Sequence, residues 1–291
     1  MPDRSLMFCG TSLAARIDAA EARLTADIAD AIGRRRPDRQ VLMLPVSGGM
    51  AVYAGPGMPM TKVIAVGLTE PLTERDLDVV EAAWAQRAEP VRVELCTLSD
   101  GAAARLLTDR GYRLLGFENV LGRRLEQDDA GRSAIPGLTI EPVVDRGAYA
   151  LWLRVSLDGF AQPDEGPLPT ERFERRALEE LFEDMADVPG FVRYLARVGG
   201  EPAGAAGMRL DSGLAQMSGA ATLPVFRRRG IQTALTQRRL DDARAAGCDL
   251  AVVTTAPGSK SQENCHRRGF ELLYARAILV KHPPAEAPTR R

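Results

Sequence analysis

A chain of 291 residues, 45 % hydrophobic and 26 % charged, is long enough to bury a core and to form one large domain or two of ordinary size. A formal net charge of −1 excludes a global basic field for nucleic acid or for a membrane surface. Two histidines, His266 and His282, and four cysteines, Cys9, Cys96, Cys248 and Cys265, with no CxxC among them, exclude a histidine-rich or paired-cysteine metal site.

All basic residues but Lys62, Lys260 and Lys281 are arginines, a bias that weakens any argument from arginine count alone. The sequence does not open on a charged-then-apolar leader. Nor does any apolar run approach the roughly 18 residues of a membrane span, so a reducing cytoplasm is the expected compartment.

In chain order, "LTERDLDVVEAAWAQRAEP" (72–90) has Leu72, Leu77, Val80 and Trp84 near helical spacing, and "VRVELCTL" (91–98) reads as a strand. "RGYRLLGFENVL" (110–121) shares its Arg-Gly-aromatic, Leu-Leu and closing aliphatic-Leu with "RGFELLYARAIL" (268–279), at an offset of 158 residues from Arg110 to Arg268. The register extends without a gap: 91–98 falls on 249–256, and 72–90 falls on 230–248. Two copies of one α/β unit are expected, 1–130 and 137–283, joined through the polar stretch "EQDDAGRSAIPG" (126–137), with 284–291 as a disordered tail.

In the second copy, "LTIEPV" (138–143) reads as a strand and "DRGAYALWLRVSLDGF" (145–160) as a helix capped by Asp145. "PTERFERRALEELFEDMADV" (169–188) reads as a second helix. "FVRYLARVGGEPAGAAGMRL" (191–210) reads as a hairpin turning at Gly199-Gly200, and "GLAQMSGAATL" (213–223) as a further strand. An arginine loop, a helix, the strand "LAVVTT" (250–255), a short helix near 259–268 and the strand 272–282 complete the order β-α-α-β-β-β-α-β-α-β.

The loop "PVFRRRG" (224–230) concentrates Arg227, Arg228 and Arg229 immediately before Gly230 and a helix. Cations at a helix N-terminus cost roughly 0.3–1 kcal/mol each at low salt. Three of them there point to a bound anion, most simply a pyrophosphate. The unpaired N–H groups of the helix start would receive it, and Gly230 would admit it close to the backbone. Thr233 adds a hydroxyl. The alternative is a basic helix start that follows a turn.

The element order, with a basic glycine turn after the fourth strand, resembles the GNAT acyltransferase superfamily over about 138–282. Its signature is Gln/Arg-x-x-Gly-x-Gly/Ala. Arg227 and Gly230 fit, whereas Gln232 stands where a small residue is usual. Thr222-Leu223-Pro224 sits where the family's valine-x-proline ends the fourth strand. Phe226 sits where an aromatic is common, and "SQENCHRRGF" (261–270) looks like the family's second helix with its closing Gly-Phe.

The resemblance implies two tandem domains of mixed α/β (α+β) fold, acetyl-CoA as acyl donor and an amine as acceptor. It implies no nucleic-acid or membrane partner, and it leaves room for a homodimer. A cofactor site of Thr222, Arg227, Arg228, Arg229, Gly230, Ile231, Gln232, Thr233 and Asn264 follows, with a main-chain N–H near Thr222 steadying the oxyanion. The family's tyrosine acid is replaced by Cys265, a weak catalytic candidate more readily read as a structural cysteine. No glutamate base stands in the fourth strand, where Gln216 and Ser218 read as ordinary strand residues, and His266 reads as a solvated helix residue. The first function expected is therefore an N-acetyltransferase. A non-catalytic acyl-CoA-binding or scaffold protein is the alternative, and a nucleic-acid binder is disfavoured by charge. In the first copy Thr69-Glu70-Pro71-Leu72 replaces Arg227-Arg228-Arg229-Gly230, so that copy is expected to keep the fold without the cofactor site.

Overall fold

The computed structural model describes residues 6–125, 135–161 and 174–283. The elements are α1 (Thr11–Arg35), β1 (Leu42–Val46), β2 (Gly49–Tyr53), β3 (Lys62–Ile64), α2 (Glu74–Ala85), β4 (Val91–Cys96), α3 (Gly101–Asp109) and β5 (Arg113–Arg124). There follow β6 (Leu138–Pro142), α4 (Arg146–Phe160), α5 (Arg175–Asp184), β7 (Phe191–Val198), β8 (Glu201–Asp211), β9 (Leu214–Thr222), α6 (Ile231–Ala245), β10 (Leu250–Thr255), α7 (Lys260–His266) and β11 (Glu271–Lys281). The expected helix start at 169–173, most of the 126–137 junction and the 284–291 tail lie outside the described residues.

The chain divides into two compact units. Unit one comprises Met1–Phe8 and Asn119–Leu273, and unit two comprises Cys9–Glu118 and Tyr274–Arg291. Strands β5 and β11 each cross from one unit to the other partway along. In unit one β10 pairs antiparallel with the Asn119–Arg124 half of β5. In unit two β4 pairs antiparallel with Arg276–Lys281 of β11. Each unit therefore takes its last strand from the other half of the sequence, and a single cut of the chain near 130 does not separate the units.

Both units use one plan. In unit one β6, β7, β8 and β9 are antiparallel neighbours and β9 runs parallel to β10. In unit two β1, β2 and β3 are antiparallel and β3 runs parallel to β4. The 158-residue offset carries α2 onto α6, β4 onto β10, α3 onto α7 and β5 onto β11 within one or two residues at most ends.

Local chemistry explains the elements. Asp145 caps α4 by accepting the Ala148 N–H. Gly199 and Gly200 both adopt positive φ (59° and 89°), as a tight turn between twisted strands requires. In unit one α6 packs Ile231, Leu235, Leu240 and Ala243 against Tyr194, Ala206, Met208, Ala215 and Met217 of the sheet. On the opposite face α4 packs Trp152 and Val155 against Leu195 and Ala205. In unit two Leu77, Val80 and Trp84 of α2 cover Val91, Val93 and Leu95. Among the described residues no helix is long and apolar enough to cross a membrane.

Candidate functional site

The strands β9 and β10 start as a parallel pair, with Leu214 opposite Leu250 and Met217 opposite Val253. They then part. From Ser218 onward β9 pairs only with β8, and Thr254 and Thr255 of β10 pair only with Val120 and Asn119 of β5. The parting coincides with a bulge. Ala205 faces Ala221 but Gly207 faces Ser218, so β9 holds one residue more than β8 over this stretch. Gly219 carries the turn with φ 57°, a left-handed conformation that glycine adopts without strain. Around the cleft the hydroxyls of Ser218, Thr222 and Thr255 are buried without a hydrogen-bond partner among the described residues.

The mouth of α6 lies a short turn beyond β9. Gly230 is its N-cap at φ 79°, ψ 6°. No side chain caps the helix, and no acidic residue lies in its first turn. The first intrahelical bond runs from Ala234 N–H to Gly230 O, leaving the N–H groups of Ile231, Gln232 and Thr233 for an outside acceptor. Arg228 (φ 62°) and Gly230 are both left-handed, a backbone that forms anion-binding concavities.

The three arginines do different work. Arg227 turns inward and donates from Nε to Thr222 O (3.2 Å) and from Nη2 to Gly159 O (3.3 Å), bracing the loop against the ends of β9 and α4. Arg228 and Arg229 are exposed, and Arg229 lies over the Phe226 ring at 5.5 Å. Gln232 accepts a hydrogen bond from Asn264 Nδ2 (3.0 Å), tying α7 to the first turn of α6.

The corresponding mouth in unit two is closed. Thr73 caps α2 with a full capping box, its side chain taking the Asp76 N–H while the Asp76 carboxylate takes the Thr73 N–H. Ser47 Oγ also donates to Asp76, at 2.9 Å. The hydrogen bonds from Thr73, then those from Ser47, hold this carboxyl below its ordinary range, so a resident negative charge occupies the helix mouth. Leu72 is buried beside it.

Cys265 is partly buried, and burial pushes its thiol up to about 11 against the opposing pull of the Arg239 guanidinium. The thiol keeps its proton at neutral pH. His266 is exposed, with Nδ1 at 3.0 Å from Phe270 O and Nε2 at 3.2 Å from Gln262 Nε2. Gln216 accepts from Arg209 Nη1 (3.3 Å), and the buried Tyr194 donates to the half-buried Asp242 (2.8 Å). No group of three or more metal-ligating side chains occurs among the described residues.

Sequence reasoning missed Arg239. It is 3 % exposed and donates from Nη1 to Gly207 O (3.0 Å) and Ser218 O (3.3 Å), at the bulge. The signal was present, because Arg239 continues the buried i, i+4 stripe of Ile231 and Leu235.

Residues 157–270 match the model of the acetyltransferase (GNAT) family. No curated protein matches the sequence. Among solved structures the chain is similar to a GCN5-related N-acetyltransferase from Kribbella flavida (TM-score 0.64, 17 % identity, 93 % of this chain and 98 % of that one). It is similar to a tandem GNAT protein from the clavulanic acid biosynthesis pathway (TM-score 0.61, 14 % identity, 88 % and 87 %). A GCN5-related N-acetyltransferase from Sphaerobacter thermophilus gives TM-score 0.57 at 17 % identity over 97 % and 96 %. At these identities the likeness concerns the fold. The parting strands and the glycine-led helix mouth fall inside the segment, 157–270, that the acetyltransferase (GNAT) family model matches.

Proposed function

We propose that unit one is an acyl-CoA-dependent N-acetyltransferase. The observation that supports this most is the contrast between the two helix mouths. That of α2 is filled by its own carboxylate, whereas that of α6 is uncapped, flanked by exposed arginines and adjacent to the parting of β9 and β10. The pyrophosphate of acetyl-CoA meets the N–H groups of Ile231, Gln232 and Thr233 and the charges of Arg228 and Arg229. Gly230 admits it and Arg227 braces the loop. Asn264 keeps one amide N–H for the pantetheine arm after its bond to Gln232.

The thioester then lies in the cleft, where main-chain N–H near Thr222 receives the oxyanion. An amine nitrogen attacks the carbonyl carbon, the C–S bond breaks with its electron pair going to sulfur, and the proton lost by the amine leaves to water. Incubating the protein with acetyl-CoA and a panel of small amines, and following free thiol, tests the reading. Amine-dependent thiol release is expected.

A second reading is a non-catalytic acyl-CoA-binding protein. One observation favours it: neither β9 nor β10 carries a carboxylate to act as base. Tight acetyl-CoA binding without thiol release for any amine would establish it in place of the first.

A further inference from the structure

Arg239 is a buried cation with no carboxylate partner among the described residues. Its Nε donates to Leu235 O (3.2 Å) within α6, and its Nη2 reaches Thr236 Oγ1 (3.4 Å), so the plane of the guanidinium is fixed from its own helix. The remaining donors leave the helix. Nη1 spans two neighbouring strands and bonds the carbonyls of Gly207 and Ser218, which face each other in the β8–β9 register.

That position has consequences. Met217 is the last residue of β9 that pairs with β10, so Arg239 grips β9 one residue after the strands part. The extra residue in β9 follows at once, at Gly219. A bulge removes ladder partners, and a buried carbonyl without a donor is costly. The arginine fork supplies both missing donors from one rigid group, which a lysine or a neutral amide cannot match in geometry. Burying a charge without a counter-charge is itself unfavourable. Burial lowers this guanidinium to about 10, and it remains charged at neutral pH. The space next to the bulge is open, since a Cβ on Gly219 would meet nothing within 4 Å.

We infer that Arg239 is a positioning residue for the acyl group, holding the β9 bulge in the shape that presents its N–H groups to the thioester carbonyl. The inference rests on the reading of unit one as an acyl-CoA site. It separates two parts of the donor that bind at different places: the pyrophosphate at the α6 mouth, and the acyl carbonyl at the bulge.

The test is calorimetric titration of the full chain with acetyl-CoA and, separately, with CoA. In wild type both bind. In Arg239→Met acetyl-CoA affinity is expected to fall at least tenfold while CoA affinity stays within threefold, and Arg239→Lys is expected to recover part of the loss. Equal weakening of both ligands, or no change in either, would overturn the role of Arg239 while leaving the acyl-CoA site standing. A wild type that binds neither ligand overturns both. If Arg239→Met does not fold, Gly219→Ala disturbs the bulge without touching the guanidinium. It is expected to give the same selective loss, and equal affinities for both ligands in that variant would overturn the inference.

Discussion

Arg276 Nη2 lies 2.6 Å from Asp18 Oδ1, and both side chains are almost fully buried in unit two. Arg276 Nε reaches the same oxygen at 3.1 Å and the Tyr274 hydroxyl donates to it at 2.5 Å. Glu94 lies 3.7 Å from Arg276 and 3.0 Å from Lys62. Tyr274 and Arg276 belong to the part of β11 that unit two takes from the far end of the sequence. A one-residue slip of that strand would send both side chains to the other face and leave Asp18 buried and unpaired. The ion pair therefore fixes which strand enters, and in which register.

Breaking this pair from one side leaves an uncompensated buried charge. Asp18→Ala is expected to destabilise unit two by about 3–5 kcal/mol in urea denaturation, whereas the joint change Asp18→Leu with Arg276→Met costs less than the single one. A single variant within 1 kcal/mol of wild type would show that the pair carries no such weight.

Glu118 adds a pH dependence. Burial pushes its carboxyl up to about 7, Glu94 and Glu21 push the same way, and Lys62 and Arg276 oppose them. Between its ordinary value of 4.5 and about 7 the folded chain holds a proton that the unfolded chain has released. This group therefore makes unit two less stable as pH rises through that window and has no further effect above it. Denaturation midpoints of wild type and Glu118→Gln at pH 5, 6, 7 and 8 should converge at the acid end, with wild type the less stable above pH 7. Parallel profiles at all four values would contradict the assignment.

At the α6 mouth, Arg229→Glu reverses one of the exposed charges, and Gly230→Leu places in unit one the residue that unit two has at the aligned position, Leu72. Both are expected to weaken acetyl-CoA binding more than tenfold. Gly230→Leu also costs roughly 1–2 kcal/mol of stability, because leucine must adopt the left-handed φ of 79°. Calorimetry giving wild-type affinity for both variants would move the pyrophosphate elsewhere.

The raised thiol of Cys265 is a proton donor at neutral pH but a poor one. Cys265→Ala should change turnover by less than tenfold with little effect on acetyl-CoA affinity. General-acid assistance is typically worth roughly 10²–10⁴-fold. A thousandfold loss in a folded variant would make Cys265 the acid.

Unit two should bind no second acyl-CoA. Its helix mouth already carries Asp76, bonded by Thr73 and Ser47, and Leu72 stands where Gly230 does in the other copy. Equilibrium titration is expected to give one acyl-CoA per chain. A stoichiometry of two, reduced to one by changes at residues 69–73, would refute this.

Local signals made much of this legible in the sequence. The apolar stripe of Leu77, Val80 and Trp84, the glycine pair at 199–200 and the Asp145 cap act within a few residues, and the helices and hairpin formed where they indicate. The glycine-led, uncapped start of α6 with its arginines was legible because these features lie in one short run. The crossing of β5 and β11 was not, because the two strands repeat the same Leu-Leu pattern and either satisfies either sheet. Only the partners of Arg276, far away in sequence, distinguish them. Arg239 was hidden in a stripe that looks apolar, and its partners come from the bulge, which depends on the register between β8 and β9.

The crossing of strands also governs how the chain is made. The first 118 residues leave the ribosome with β4 ready for a neighbour that is about 160 residues from being synthesised. At 5–20 residues per second that interval is roughly 8–30 s. Throughout it, the outer backbone edge of β4 is open to any other extended peptide. Unit one, in contrast, has its borrowed strand, residues 119–124, in hand before β6 to β10 are made. The half of the protein made first is thus completed last, and nascent chains halted anywhere between residues 119 and 273 should need chaperone protection that the finished chain does not.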